Sequence, residues 1–347
     1  MRKPNKTIFL LRSTRSKFGG AERYLSRLAT ELSKYQIDHQ LIHSPLPKFL
    51  PSWLRVLLFN LWVCVRKKNK FYFSLDRVTC PDIYRAGDGV HKVFLSVEKK
   101  SKTNLLHPVY LFMERRCFHK AKRIIANSQM VKQQIIDTYR IQPDKVKVVY
   151  NGIQSKENDY KKSFNSLSRE FSIARDQNVI LYVGSGFKRK GVEEFLEIVS
   201  NLKTPNIKAF VVGKEKQLEL YVELVKQLQI DDKVVFTGAR EDVDDFYVIS
   251  DIFLFPTHYE PFSNVVLEAM NFKNVVFTTS QNGASEILDG AFVMDSPTDM
   301  SVPNKIDTLF SDKDKLEKIQ LENRALSKQF SIEKNLKDTI EIINECV

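Results

Sequence analysis

The chain has 347 residues, 43% of them hydrophobic, which is enough apolar material to fill two ordinary globular cores. Its four cysteines (Cys64, Cys80, Cys117, Cys346) lie far apart, with no C-x-x-C pair and no histidine set beside them, so the spacing predicts neither a disulfide framework nor a zinc site and fits a reducing cytosol. The net charge of +12 is unevenly placed: residues 1–150 hold 30 Lys and Arg against 10 Asp and Glu, a net of +20, which leaves 24 against 32, a net of −8, for the remainder. Opposite halves imply two domains with different duties, and the basic one is either a solvated surface or a face for an anionic partner. Nucleic acid, acidic lipid and a phosphorylated substrate all stay open at this point.

The N-terminal run IFLL is too short for a signal-peptide core and reads as a buried first strand. Gly19 and Gly20 follow it and open a helical pattern, AERYLSRLATELSKY, putting free N–H donors and a positive dipole end at the carboxyl end of a strand. Residues 50–65, LPSWLRVLLFNLWVCV, form the most apolar window, yet with Arg55 and Asn60 inside they fall short of the ~20 residues that span a bilayer and are expected to form a core helix, a membrane-embedded segment being the alternative. Between His91 and Arg123 nine Lys and Arg alternate with Phe, Leu, Tyr and Met against two acids. That composition suits an interfacial face for anionic lipid and equally a partly exposed helical pair.

A helix, SQMVKQQIIDTY, and a strand, VKVVY, precede the polar stretch 154–178, which is expected to hold the hinge between domains. Strand-like runs VILYV, AFVVG, KVVFTG, IFLFP and NVVFTT then alternate with helical patterns VEEFLEIVSNLK, QLELYVELVKQLQI, VDDFYVIS and SNVVLEAMNF. Short, Val- and Ile-rich strands alternating with helices predict a doubly wound α/β architecture, twice over.

The turn Gly184–Gly191, GSGFKRKG, lies between a strand and a helix. It is not a P-loop, because Val192 stands where Lys-Ser/Thr is needed, and its third glycine is misplaced for a dinucleotide fingerprint. Lys188, Arg189 and Lys190 would neutralise a diphosphate directly, where a Rossmann turn relies on backbone N–H groups; the alternative is a basic surface turn. Glu260 and Glu268 stand eight apart around the start of a helix. A glycosidase pair is conceivable, but hydrogen bonding to sugar or ribose hydroxyls is the simpler role. Asp242 and Asp244 form a D-x-D that opens a helix, where acids favour the dipole rather than a metal.

In order along the chain, GGAER, NSQMVKQQI, VVYNGI, YVGSGFKRKG, FVVG, VVFTGAREDV, the E-x7-E from Glu260 to Glu268 and the G-A-S-E turn at Gly283–Glu286 resemble the retaining glycosyltransferases of family 4. FGGAER, YRAGDGVH, VGSGFKRKG and the basic stretch after His91 are most similar to the lipopolysaccharide-core members that add glucose to a heptose. The resemblance implies a GT-B fold: two Rossmann-like domains with an interdomain cleft, residues 1–165 binding acceptor and 166–330 binding nucleotide-sugar, with 331–347 a helix packing back on the first domain. It implies a UDP-sugar donor, no cofactor or metal, a lipopolysaccharide-core acceptor, no nucleic acid, and a cytoplasmic chain lying on the anionic inner-membrane surface through its basic domain.

On the same resemblance Gly19 and Gly20 approach the diphosphate, Arg189 and Lys190 compensate its charge, and Lys214 or Lys216 reaches the same anion. Arg240 lies where the family contacts uracil, mostly through backbone. Asn264 and Val265 add N–H donors, Glu268 takes the ribose hydroxyls and Glu260 the donor-sugar hydroxyls. The wider family has Arg directly after the loop's first glycine; here Ser185 stands there and Arg189 appears instead, while Lys190 keeps the family place. The acceptor hydroxyl loses a proton in attack, for which Asp88, favoured, and His91 are the candidates; a turn aspartate and a lone histidine are the plain readings.

Overall fold

The computed structural model describes residues 6–14, 20–47, 49–98 and 104–347. The chain divides into two compact units, Met1–Asn151 with Ile332–Val347, and Gly152–Ser331. In chain order the elements are β1 (Ile8–Leu11), α1 (Gly20–Lys34), β2 (His39–Ile42), α2 (Ser52–Val65), β3 (Phe71–Ser74), β4 (Ile83–Ala86), α3 (His91–Glu98), α4 (Leu106–Lys120), β5 (Arg123–Ala126), α5 (Gln129–Tyr139) and β6 (Val146–Val148). The second unit continues with α6 (Tyr160–Phe171), β7 (Asn178–Val183), α7 (Phe187–Lys190), α8 (Val192–Ser200), β8 (Ile207–Val212), α9 (Leu218–Gln227), β9 (Val234–Gly238), α10 (Val243–Ile249), β10 (Ile252–Phe255), α11 (Asn264–Asn271), β11 (Val275–Thr279), β12 (Val293–Met294), α12 (Val302–Ser311) and α13 (Lys313–Ser327). The last helix, α14 (Ile332–Cys346), belongs to the first unit.

Each unit is a six-stranded parallel sheet, ordered β2-β1-β3-β4-β5-β6 in the first and β12-β11-β10-β7-β8-β9 in the second. Two Rossmann-like sheets with covering helices are the predicted GT-B architecture. Strands such as FYFS and IFLF are buried along their whole length, as a sheet covered on both faces requires. In α1 the leucines at 25, 28 and 32 recur at helical spacing and are buried against Ile8 and Leu10, together with Leu336, Ile340 and Ile343 of α14. Each such side chain contributes about 1.5–3 kcal/mol on burial. Short switches in the chain are made locally: Ser128 caps α5 by accepting from the Val131 N–H at 3.1 Å, and Asp159 caps α6 by accepting from Lys162 at 3.0 Å.

Four sequence expectations are corrected. The domain boundary falls at Asn151/Gly152, not at 165/166. The polar stretch conceals α6, which buries Ser163 and Leu167 and ties to α10 through the Asp245 carboxylate, accepting from Ser163 at 2.7 Å and Asn158 at 2.9 Å. Residues 50–65 do form a helix, but only Phe59 and Val63 of α2 are fully buried, while Leu61 and Val65 are exposed. Cys64 and Cys80 form a disulfide, Cα atoms 5.8 Å apart. The packing of α2 on Tyr72 and Val78 brings them together, a contact that a sequence separation of 16 hides. Cys117 and Cys346 are free.

Candidate active site

In the second unit the chain leaves β7 toward β8 and returns on the other side as β10, so β7 and β10 flank the switch point where open α/β sheets bind ligands. The loop from β7 carries Gly184–Gly191, and the loop from β10 carries Pro256–Ser263. They are laced together. The Arg189 carbonyl accepts from the His258 N–H at 2.9 Å and the Thr257 hydroxyl at 3.2 Å. The Arg189 guanidinium donates to the Tyr259 carbonyl at 2.6 Å and pairs with the Glu260 carboxylate. Burial holds the Lys190 ammonium below the usual lysine range, against the upward pull of Glu260 and Glu268. It also stands 5.5 Å over the Phe255 ring. Glu268, on α11, accepts from the buried Tyr247 hydroxyl at 3.3 Å. Two cations and two carboxylates therefore share one rim.

Polar atoms around the same rim lack partners among the described residues: Tyr182 Oη, Glu194 Oε2, Ser263 Oγ and Gln281 Oε1 are buried without a hydrogen bond. Ser263 is the N-cap residue of α11, yet its hydroxyl makes no cap bond.

The remaining sequence candidates are placed as follows. The Phe187 N–H at the start of α7 is occupied by Glu215 Oε2 at 3.0 Å, so the cations of this turn, rather than that N–H, are what it presents. Lys214 and Lys216 are exposed on either side of Glu215, their backbone N–H groups donating to Ser185 at 3.1 Å and Glu215 at 2.7 Å. Arg240 has both edges of its fork engaged, with Glu170 at 2.7 and 2.8 Å and with Asp242 at 2.9 Å, which leaves its backbone for any ligand. The carboxylates of the D-x-D diverge, Asp242 to Arg240 and Asp244 to Lys156 at 2.6 Å.

In the first unit Gly19 lies outside the described residues. Gly20 is the first residue of α1, and open space lies where its side chain would be. Asp88 is exposed in the turn after β4. His91 starts α3 and is buried; its Nε2 is 3.2 Å from His107 Nδ1, and its ring stacks on Phe94 and meets Tyr110 edge-on. Burial, with the Arg77 charge adding to it, depresses the His91 pKa to about 4, so the imidazole is neutral at physiological pH and can accept or relay a proton.

Residues that sequence reading missed stand beside these. Asp76, just past β3, accepts from the Ser13 N–H and from Arg12 at 3.1 Å, and burial pushes its carboxyl up against the pull of Arg12. Its position directly after a wholly buried strand was the available signal. His258, whose Nε2 lies 2.6 Å from Glu194 Oε1, is adjacent to the E-x7-E and ties α8 to that loop. Among the described residues no group of three or more His, Cys, Asp or Glu is placed to hold a metal ion, and no helix is long and apolar enough to cross a membrane.

The family model described as "Glycosyl transferases group 1" matches residues 163–325, and that described as "Glycosyltransferase Family 4" matches residues 88–157. Residues 163–325 thus resemble the group 1 glycosyltransferases, and residues 88–157 those of family 4. The chain is 30% identical over 182 residues to an uncharacterised glycosyltransferase of Methanocaldococcus jannaschii, covering 51% of this chain and 47% of that one. It is 30% identical over 217 residues to a capsular polysaccharide biosynthesis glycosyltransferase of Staphylococcus aureus, covering 59% and 56%. With the lipopolysaccharide glucosyltransferase WaaG of Escherichia coli it shares 28% identity over 223 residues, covering 60% and 59%. The chain thus spans about half the length of the curated relatives it matches. A crystal structure of WaaG superposes with a TM-score of 0.79 at 21% identity, covering 97% of this chain and 99% of that one.

Proposed function

We propose that the chain is a hexosyltransferase that moves glucose from UDP-glucose to a heptose of the lipopolysaccharide inner core, with retention and without a metal, in the manner of a heptosyl glucosyltransferase I. The observation that carries this reading is the single rim at β7 and β10 on which Arg189 meets Glu260 while Lys190 lies within the field of Glu260 and Glu268. Such a rim suits a ligand that is both a diphosphate and a polyol. In this reading Arg189 and Lys190 stabilise charge developing on the departing UDP, Glu260 binds the sugar hydroxyls and Glu268 the ribose. Gly19 and Gly20 approach the diphosphate; Lys214 or Lys216, with the N–H groups of Asn264 and Val265, add to its binding; backbone at Arg240 meets the uracil. Attack on the front face, with the departing phosphate oxygen taking the proton, requires no protein nucleophile. Asp88 and His91 orient the acceptor hydroxyl. The E. coli relative is a lipopolysaccharide glucosyltransferase, and an Anabaena protein of the same fold has been crystallised with UDP-glucose, both in support.

A second reading keeps the donor chemistry and changes the sugar and acceptor, to a GlcNAc or galactose transfer onto capsule or lipid-linked glycan. The S. aureus capsular relative, and a Campylobacter jejuni relative that acts on a diphospho-undecaprenol glycan, favour it. In either reading the acceptor is membrane-bound, and the basic first unit rests on the cytoplasmic face of the inner membrane. Exposed Leu61 and Val65 of α2, and Phe112 of α4 with Arg116 5.0 Å over its ring, supply the mixed apolar and cationic surface that anionic lipid attracts. Part of the basic stretch, residues 99–103, lies outside the described residues. The deciding measurement is UDP release from UDP-glucose, UDP-galactose and UDP-GlcNAc with and without heptose-terminated lipopolysaccharide. Acceptor-stimulated release with UDP-glucose supports the first reading. Stimulation only by another donor and acceptor supports the second, and no turnover with any UDP-sugar beside salt-sensitive RNA binding refutes both.

A further inference from the structure

We propose that Arg77, Glu114 and Tyr139 are positioning residues that set the turn carrying Asp88 and His91. The Glu114 side chain, on α4, is completely buried. Its Oε1 accepts from Arg77 Nε at 2.9 Å and from the His91 backbone N–H at 2.7 Å, and its Oε2 accepts from the Lys92 N–H at 3.3 Å and from the Tyr139 hydroxyl at 2.7 Å. Arg77, in the loop between β3 and β4, donates to the Gly89 carbonyl at 3.2 Å and lies 5.4 Å over the Tyr110 ring. Backbone at 89, 91 and 92 is therefore gripped from two separate elements, the β3–β4 loop and α4, with Tyr139 of α5 holding the Glu114 carboxylate in place, while Asp88, directly before them, is left exposed.

A buried ion pair is a poor stabiliser beside apolar side chains of the same volume. What it supplies here is direction. The first N–H groups of a helix have no acceptor of their own, and Glu114 takes two of them at the start of α3. That fixes the rotation of α3 about its axis, hence the plane of the His91 ring and the aim of Asp88. Asp76, the residue before Arg77, holds the neighbouring loop in the same way through the Ser13 N–H. Consecutive residues after β3 thus anchor both loops at this edge of the sheet. Glu114 sits in FMERR, whose flanking charges disguise a buried position.

The catalytic part of this inference rests on the proposed function; the grip on the turn does not. The full-length chain is tested as Glu114→Gln and Tyr139→Phe by amide hydrogen exchange, by UDP calorimetry, and by transfer kinetics with UDP-glucose and heptose-terminated lipopolysaccharide. Loss of one charge-assisted contact is expected to speed exchange of the Gly89, His91 and Lys92 amides by roughly 10- to 100-fold and to lower kcat by a similar factor in Glu114→Gln. The KM for UDP-glucose, the UDP affinity and exchange in the second unit should not change, and Tyr139→Phe should show the same pattern more weakly. A purely structural role would instead raise exchange throughout the first unit. Unchanged exchange at 89–92, or a loosened turn with unchanged kcat, overturns the proposal. Should Glu114→Gln fail to fold, Tyr139→Phe decides by the same criteria. A wild-type chain that transfers no sugar refutes the proposed function, and the exchange data then decide the grip alone.

Discussion

Replacing Gly191 by alanine should damage the rim at β7 and β10 more than any other single methyl group added to the glycine turn. Gly191 has φ +76° and ends α7 while starting α8. A Cβ there would overlap the Pro256 carbonyl oxygen and lie 2.6 Å from its carbon, and both are backbone that cannot swing aside. Left-handed backbone costs a non-glycine residue about 1–2 kcal/mol, and forcing a methyl into packed structure adds about 1–3 kcal/mol. The expected loss is thus about 2–5 kcal/mol. Gly186 is the internal control: its φ is +78°, but nothing lies within 4 Å of the added Cβ, so Gly186→Ala should lose only the left-handed part. Because Pro256 leads into the loop that holds Arg189 and Glu260 together, the displacement should also separate those two groups. Urea unfolding followed beside UDP calorimetry measures both effects. The reasoning fails if the two variants are equally stable, or if Gly191→Ala is destabilised while its UDP affinity stays at the wild-type value.

Four further outcomes are expected. Arg189→Ala should weaken UDP binding by roughly 10- to 100-fold through loss of a charge-assisted contact, whereas Glu260→Gln should leave UDP binding intact and weaken only UDP-glucose; calorimetry with the two ligands separates a diphosphate role from a sugar role. The first unit should lose stability as pH falls from about 6.5 to about 4, because the unfolded chain binds a proton at His91 that the folded chain refuses until its depressed pKa is reached. After allowance for solvent screening the loss is about 1–2 kcal/mol, absent above that window and constant below it; melts of His91→Gln across this range should lack that component. Under non-reducing denaturation, alkylation should tag two cysteines, Cys117 and Cys346, and four after reduction. Cys80→Ser in the oxidised protein should cost about 3 kcal/mol for a loop of this length.

Much of the architecture is legible in the chain because it is local. Seven strand runs and six helical patterns are recognisable from periodicity and β-branched content, and their alternation implies two parallel sheets. The strands β2, β3, β4 and β5 escape notice: each is four residues long, and none is an unbroken apolar run like the IFLL and IFLF that reveal the other four-residue strands. The helix α6 escapes because a polar surface and one narrow buried stripe look like a linker until α10 is set against it. On the rim, Arg189, Lys190, Glu260 and Glu268 stand out by residue type and spacing, as cations suited to a diphosphate and carboxylates suited to a polyol, and the structure brings them to one edge of the sheet.

What the amino-acid order determined, then, is the pair of doubly wound units and the kinds of groups that follow β7 and β10, since hydrophobic period and turn chemistry act over a few residues. Pairing was decided only by tertiary structure. It set Arg189 against Glu260, Glu215 on the Phe187 N–H, Cys64 against Cys80, and Glu114 under the Asp88 turn. Each of these contacts joins residues separated in sequence, and a charge or thiol specifies no partner until the packing of the sheet and its helices removes the alternatives and the water.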